Sequence, residues 1–145
     1  MGALALCLVC TLGCHSTEPG SASFASVNIN NRSLAEIQQA AIEVFSQDGY
    51  RATPSSINSL VFEKRGSAMD DIAYNGVVGT HYGQISLIRV KTQIVNLGAN
   101  SSRLQCQAYT VRDAADSFFA EEIAMSSMRS GPFQKLLRKT ADKLK

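Results

Sequence analysis

Apolar and polar positions recur along this chain with two different periods, and the switches between them mark the elements. After residue 33, Leu34, Ile37, Ala41, Val44 and Phe45 fall three or four residues apart, the spacing of one face of an α-helix. Ser33 and Glu36 match the Ser-x-x-Glu capping box, in which each side chain satisfies a free backbone donor of the first turn. Gly49 suits the left-handed position past a helix end, and Tyr50 can fold back onto Phe45. The pattern predicts a helix over residues 34–48.

Elsewhere the period is two. Val27 and Ile29 alternate with polar neighbours in a short first strand, and residues 60–64 read as a second. The longest run covers residues 84–96. There Ile88, Val90, Thr92 and Ile94 point one way while Arg89, Lys91 and Gln93 point the other, a half-buried strand. A turn at "LGANSS" returns the chain with Leu104, Cys106 and Ala108 inward, predicting an antiparallel hairpin. The stretch "TPSSINS" around Pro54 reads as turn material. Residues 113–130 are ambiguous: "DSFFAEEIAMSSM" within them can be read as a helix with Phe118, Phe119, Ile123 and Met125 partly buried, and no element is assigned there. Gly131 and Pro132 then open a last helix, Pro at its first position, with Phe133, Leu136, Leu137, Thr140 and Leu144 as its buried stripe. The order β-α-β-β-β-α predicts an α+β fold: an antiparallel sheet covered on one face by amphipathic helices. The charged face of the long strand is left to solvent or a partner.

Composition narrows the reading. With 145 residues and 45% hydrophobic content, residues 24–145 suit one core and one domain. A net charge of +2 and the absence of Trp argue against a nucleic-acid surface, which needs a basic stripe and often a stacking platform. No repeat of solenoid length occurs.

The first thirteen residues carry no charge, and "ALALCLVCTLG" is too short to span a bilayer, which takes about 20 apolar residues. It has the length of a signal-peptide core and ends at polar "HSTEPGSAS". "TLGC", residues 11–14, resembles the lipobox of bacterial lipoproteins. That resemblance implies cleavage after residue 13, lipidation of Cys14 and a tether over 14–23. Thr11 departs from the usual Leu, and no Lys or Arg precedes Cys14, from which the true start is expected upstream of Met1. Beyond Cys14, the nine residues 15–23 reach at most ~30 Å when extended, placing the domain close to the membrane. The competing site ranks below this. Cys10 and Cys14 are separated by three residues where haem attachment needs two. A zinc set of Cys7, Cys10, Cys14 and His15 would lose two ligands on cleavage. Acylated Cys14 leaves Cys106 without a disulfide partner, on an inward face. Two glycosylation sequons, at Asn31 and Asn100, are taken as chance beside a bacterial lipobox.

Three stretches stand out as candidates for function. Residues 65–83 form a loop longer than a compact domain needs, and it carries Asp70, Asp71, Tyr74, His81 and Tyr82. A small hydrolase or transferase would use His81 as general base oriented by Asp70 or Asp71, yet no G-x-S-x-G nucleophile motif accompanies them. A surface or partner-binding loop is the preferred reading. Arg89 and Lys91 on the long strand are a second candidate docking surface. In the last helix, Lys139 and Lys143 are candidates for contact with an anionic membrane surface.

"AAIEVFSQDGY" followed by a turn and "SLVFEK" resembles the helix-grip domains of accessory lipoproteins in the outer-membrane β-barrel assembly machinery, where a helix also ends at Gly-aromatic and leads into a strand meander. The resemblance covers roughly residues 33–112 and implies a scaffold or interaction module, not an enzyme. His15 after the lipidated cysteine, in place of Asp, implies outer-membrane sorting. The expectation is a lipid-anchored periplasmic domain that binds an envelope protein or peptide and needs no cofactor, metal or nucleic acid.

Overall fold

Residues 23–66, 85–112 and 120–145 are described by a computed structural model of the chain. Strand β1 (Ala25–Asn30) leads into helix α1 (Leu34–Gln47), followed by β2 (Arg51–Ser56), β3 (Ser59–Arg65), β4 (Ile85–Gly98), β5 (Ser101–Arg112) and β6 (Glu121–Ala124). A 3-10 turn, Ser127–Arg129, precedes helix α2 (Gly131–Lys143). The strands form one six-stranded sheet in the order β1-β5-β4-β3-β2, all pairs antiparallel. β1 and β6 share one edge of β5, β1 along Ser101–Cys106 and β6 along Tyr109–Arg112. The fold is α+β, with both helices packed on one face of the sheet.

Helix α1 forms where the apolar stripe put it, because both ends are closed locally. Ser33 Oγ accepts from the Glu36 N–H at 3.3 Å while the Glu36 carboxylate accepts from the Ser33 N–H at 2.8 Å. At the other end the Gly49 N–H donates to the Ser46 carbonyl and the Tyr50 N–H to the Phe45 carbonyl, each at 3.0 Å. Gly49 sits at φ +89°, which a side chain would resist, and the Tyr50 ring meets Phe45 edge-on. That is a complete Schellman ending.

The core lies between the sheet and the two helices. Leu60, Phe62, Ile88, Val90, Ile94, Leu104, Cys106 and Ala108 meet Ile37, Val44 and Phe45 of α1 and Phe133, Leu136 and Leu137 of α2. Phe45 and Phe62 stack with ring centroids 4.1 Å apart, and Phe24 packs on Phe133 at 5.4 Å. The three buried threonine hydroxyls among the described residues all find acceptors: Thr92 donates to the Leu60 carbonyl and Thr140 to the Leu136 carbonyl, both at 3.0 Å, and Thr110 to the Ile123 carbonyl at 3.5 Å. Val111 is a departure from strict alternation. Its position on β5 puts it on the outer face, yet it is buried.

Two strands were not expected. The stretch read as a turn around Pro54 is β2, an edge strand whose residues are exposed except for Ala52, so it carries no apolar alternation to read. Residues 121–124, in the stretch whose pattern is ambiguous and allows a helix, form β6, because pairing with β5 outweighs the helical preference of Glu and Ala. Ile123 is exposed there, and Met125 beyond it is buried in the core. The last helix begins one residue early, at Gly131, with Pro132 second. The expected contacts of Phe118 and Phe119 lie outside the described residues.

Candidate functional site

Opposite the helices, the sheet presents a second face on which no described helix packs. The register sets its rows. Glu63, Arg89 and Tyr109 are cross-strand neighbours on β3, β4 and β5, and Lys91 lies beside Gln107, Gln93 beside Gln105. Pleating sends these odd-numbered positions outward while their even-numbered neighbours fill the core.

Charge organises the middle of this face. The Arg89 guanidinium reaches Glu63 Oε1 at 2.6 Å from both Nε and Nη2, and its Nη1 lies 3.7 Å from Glu122 Oε1. Lys91 Nζ donates to Glu122 Oε2 at 2.9 Å and sits 4.6 Å from the Tyr109 ring centroid. One carboxylate on β6 therefore ties two cations of β4 to each other, and the ring of β5 lies under one of them. Exposed ion pairs stabilise a fold by no more than about 1 kcal/mol each. Their effect here is to hold two long side chains in defined positions.

Amides continue the array. Gln105 Nε2 donates to Gln93 Oε1 at 3.3 Å, and Gln107 Nε2 donates to the Met125 carbonyl at 3.2 Å. Next to the start of β1, Lys91, Gln93, Gln105 and Gln107 line a shallow depression of about 240 Å³. Phe24 and Cys106 line it as well, so it is an open contact surface that mixes apolar and polar hydrogen-bonding groups, not an enclosed small-molecule cleft.

The expected site residues fall into three groups. Arg89 and Lys91 lie on the outer face as the alternation required, but each is already paired with a carboxylate, so the face is an ordered network and not bare charge. In α2 the two membrane-contact candidates differ: Lys139 is exposed, whereas Lys143 is held by Glu43 of α1 at 2.8 Å. Cys14, Asp70, Asp71, Tyr74, His81 and Tyr82 lie outside the described residues. Glu63, Glu122 and Tyr109 were not foreseen. Their partners lie far away in sequence, and only Glu63, outward on a predicted strand opposite a basic strand, left a readable hint.

Cys106 is buried between β1 and β4, and burial pushes its thiol up to about 12. It stays protonated and non-nucleophilic at neutral pH. Among the described residues no three His, Cys, Asp or Glu side chains gather as a metal site requires, and no helix is long and apolar enough to cross a membrane. Compared with known proteins, the chain matches no family model and no curated protein sequence.

Proposed function

We propose that the chain is a non-enzymatic interaction domain of the bacterial envelope, anchored through acylated Cys14 and facing the periplasm, that docks a protein or peptide partner on the outer face of its sheet. The lipobox-like "TLGC" supports the anchor, and His15 favours the outer membrane. One observation carries the docking reading. Arg89, Lys91 and the Gln93–Gln105 pair are held in fixed positions by partners on β3, β5 and β6 while Lys91 and Gln93 remain exposed. Side chains ordered before binding lose little freedom when a partner arrives, which is how a polar surface gains affinity. The helix ending at Gly49-Tyr50 and opening into the β2–β5 meander agrees with the helix-grip resemblance.

Two measurements test this. Intact mass from the native host should begin at Cys14 with acyl chains added; a chain without lipid removes the anchor. A photoreactive residue at Gln93 should give one discrete crosslinked partner that is lost in Arg89→Ala, while the same probe at Ala35 on α1 gives none. Equal adducts from both positions, or none from Gln93, refute docking on this face.

A further inference from the structure

The outer side of α2 is a surface of a different kind from the sheet. Its buried stripe, Phe133, Leu136, Leu137 and Thr140, fixes the helix against the core and turns Lys135, Arg138 and Lys139 to solvent. The structure separates the basic residues of the last helix into two sets. Lys143 is neutralised by Glu43 at 2.8 Å and Lys145 by Asp142 at 2.6 Å. Lys135, Arg138 and Lys139 make no ion pair or side-chain hydrogen bond among the described residues. Spaced at i, i+3 and i+4, they are neighbours within one turn, about 5–6 Å apart at Cβ.

The acidic residues of neighbouring α1 do not compensate them. Glu36 is engaged by Arg32 and by its cap, and Glu43 by Lys143 and Gln39. A second feature stands just ahead of the helix: Met128, in the 3-10 turn, is 94% exposed.

We infer that α2 is a membrane-surface contact, and that Lys135, Arg138 and Lys139 bind the headgroups of an anionic bilayer with Met128 entering the interface beside them. The chemistry favours a bilayer over an acidic protein. The three charges stand on the outer side of a helix, where no strand edge of the described sheet lies to read a peptide; the two flexible ammonium groups suit a diffuse sheet of charge and the Arg138 guanidinium fits phosphate. The apolar stripe of α2 is itself spent on the core, so the exposed Met128 ahead of the helix is the apolar side chain such a contact can insert. The inference does not depend on Cys14. It does fix an orientation: in a two-layer fold, seating the helix layer on the bilayer turns the outer sheet face, with Arg89 and Lys91, away from it and toward partners.

The test uses the full chain carrying Cys14→Ser, so that no acyl chain contributes, with vesicles of phosphatidylcholine alone or mixed with phosphatidylglycerol. The uncharged first thirteen residues bind both alike, so the anionic-lipid preference reports the domain. Each cation near such a surface is worth about fivefold in binding. K135Q/R138Q/K139Q should reduce the preference by on the order of a hundredfold, whereas K143Q/K145Q should leave it nearly intact. Because the chain has no Trp, Met128→Trp supplies a single indole whose emission should shift to the blue only on the anionic vesicles. The inference is overturned if the triple variant keeps its preference, if K143Q/K145Q loses as much, or if the indole stays in water. Binding of polyglutamate without binding of anionic vesicles would overturn it as well, assigning the face to an acidic protein.

Discussion

Replacing Ala99 with a larger, more polar residue should make this protein more stable, and the reason is confined to one backbone dihedral. The β4–β5 hairpin closes through Ala99 and Asn100, at φ +46° and +58°, with Gly98 opposite Ser101. Two central residues at positive φ are what a type I′ turn demands, and that turn matches the twist of the strands it joins. Asn100 is well placed there, but Ala99 is not, since a Cβ in the left-handed region costs roughly 1–2 kcal/mol. Ala99→Gly removes that strain but returns about 0.4–1 kcal/mol through the freer unfolded chain, for a net gain of about 0.5–1 kcal/mol. Ala99→Asn keeps the unfolded chain stiffer and tolerates the same dihedral, so its gain should be about 1 kcal/mol. Ala99→Val should lose about as much, because a β-branched residue fits this region worst. Gly98→Ala is the internal control. Gly98 sits at φ +83° with nothing within 4 Å of an added Cβ, so any loss there is backbone strain, net of the gain from a stiffer unfolded chain, with no steric clash. Urea melts of the series should rank Asn, Gly, Ala, Val from most to least stable. A fall in midpoint for both Ala99→Asn and Ala99→Gly would refute the assignment of strain to this turn.

The core and the caps make sharper demands. Phe62→Ala removes a fully buried ring stacked on Phe45 and should cost about 3–5 kcal/mol in a urea melt; Ile57→Ser, at a hairpin tip that is 84% exposed, should change stability by less than about 0.5 kcal/mol. Cys106 should resist alkylation at neutral pH until the chain is unfolded. Because burial raises its thiol from 9.0 to about 12, the protonated form is favoured by the fold, and the stability it contributes is complete below pH 9.0 and lost as pH rises toward 12. Melts of Cys106→Ala over that range should lack this component; an identical alkaline profile would refute it. In the capping box, Ser33→Ala should cost about 1 kcal/mol. Glu36 is held below its usual range first by the Ser33 backbone N–H and then by the Ser33 hydroxyl, so its contribution is present above the ordinary glutamate pKa and lost as pH falls through the depressed one. Glu36→Gln should flatten that acid limb relative to the parent.

Where the sequence was legible, a single local rule carried enough information. The α1 boundaries follow from Ser33, Glu36, Gly49 and Tyr50, which interact only with near neighbours. β4 and β5 were legible because one face is buried and the other wet, so every second residue repeats the message. β2 lacks that message, since an edge strand needs only one partner and little burial. β6 carries the opposite one, two glutamates and an alanine in a strand imposed by β5. The candidate site divides the same way. That Arg89 and Lys91 point outward is alternation, and alternation is local. That Glu63 lies 26 residues before Arg89 and Glu122 lies 31 after Lys91, yet both meet them, depends on strand order and register, which no spacing rule supplies.

The sheet's edges bear on how a partner can engage it. An open strand edge is a template for adding another strand, and each edge here is blunted. On β1, the side-chain amide of Gln134 in α2 occupies the place of a neighbouring strand: its Oε1 accepts from the Ser26 N–H at 3.1 Å and its Nε2 donates to the Ser26 carbonyl at 2.8 Å. On β2, Pro54 has no N–H to offer. β6 is four residues long and carries two carboxylates, one of them drawn onto the outer face by Arg89 and Lys91. A partner therefore gains little from pairing its backbone with this sheet and must read side chains. The outer side of α2 offers three cations, Lys135, Arg138 and Lys139, with no ion-pair partner among the described residues, which suits an undifferentiated surface. The outer sheet face offers guanidinium, ammonium, carboxylate and amide groups in fixed register, which suits a partner of defined shape. On the proposed function, selective recognition falls to the face whose side chains are held by three different strands, and attachment to the face whose charges no described residue holds.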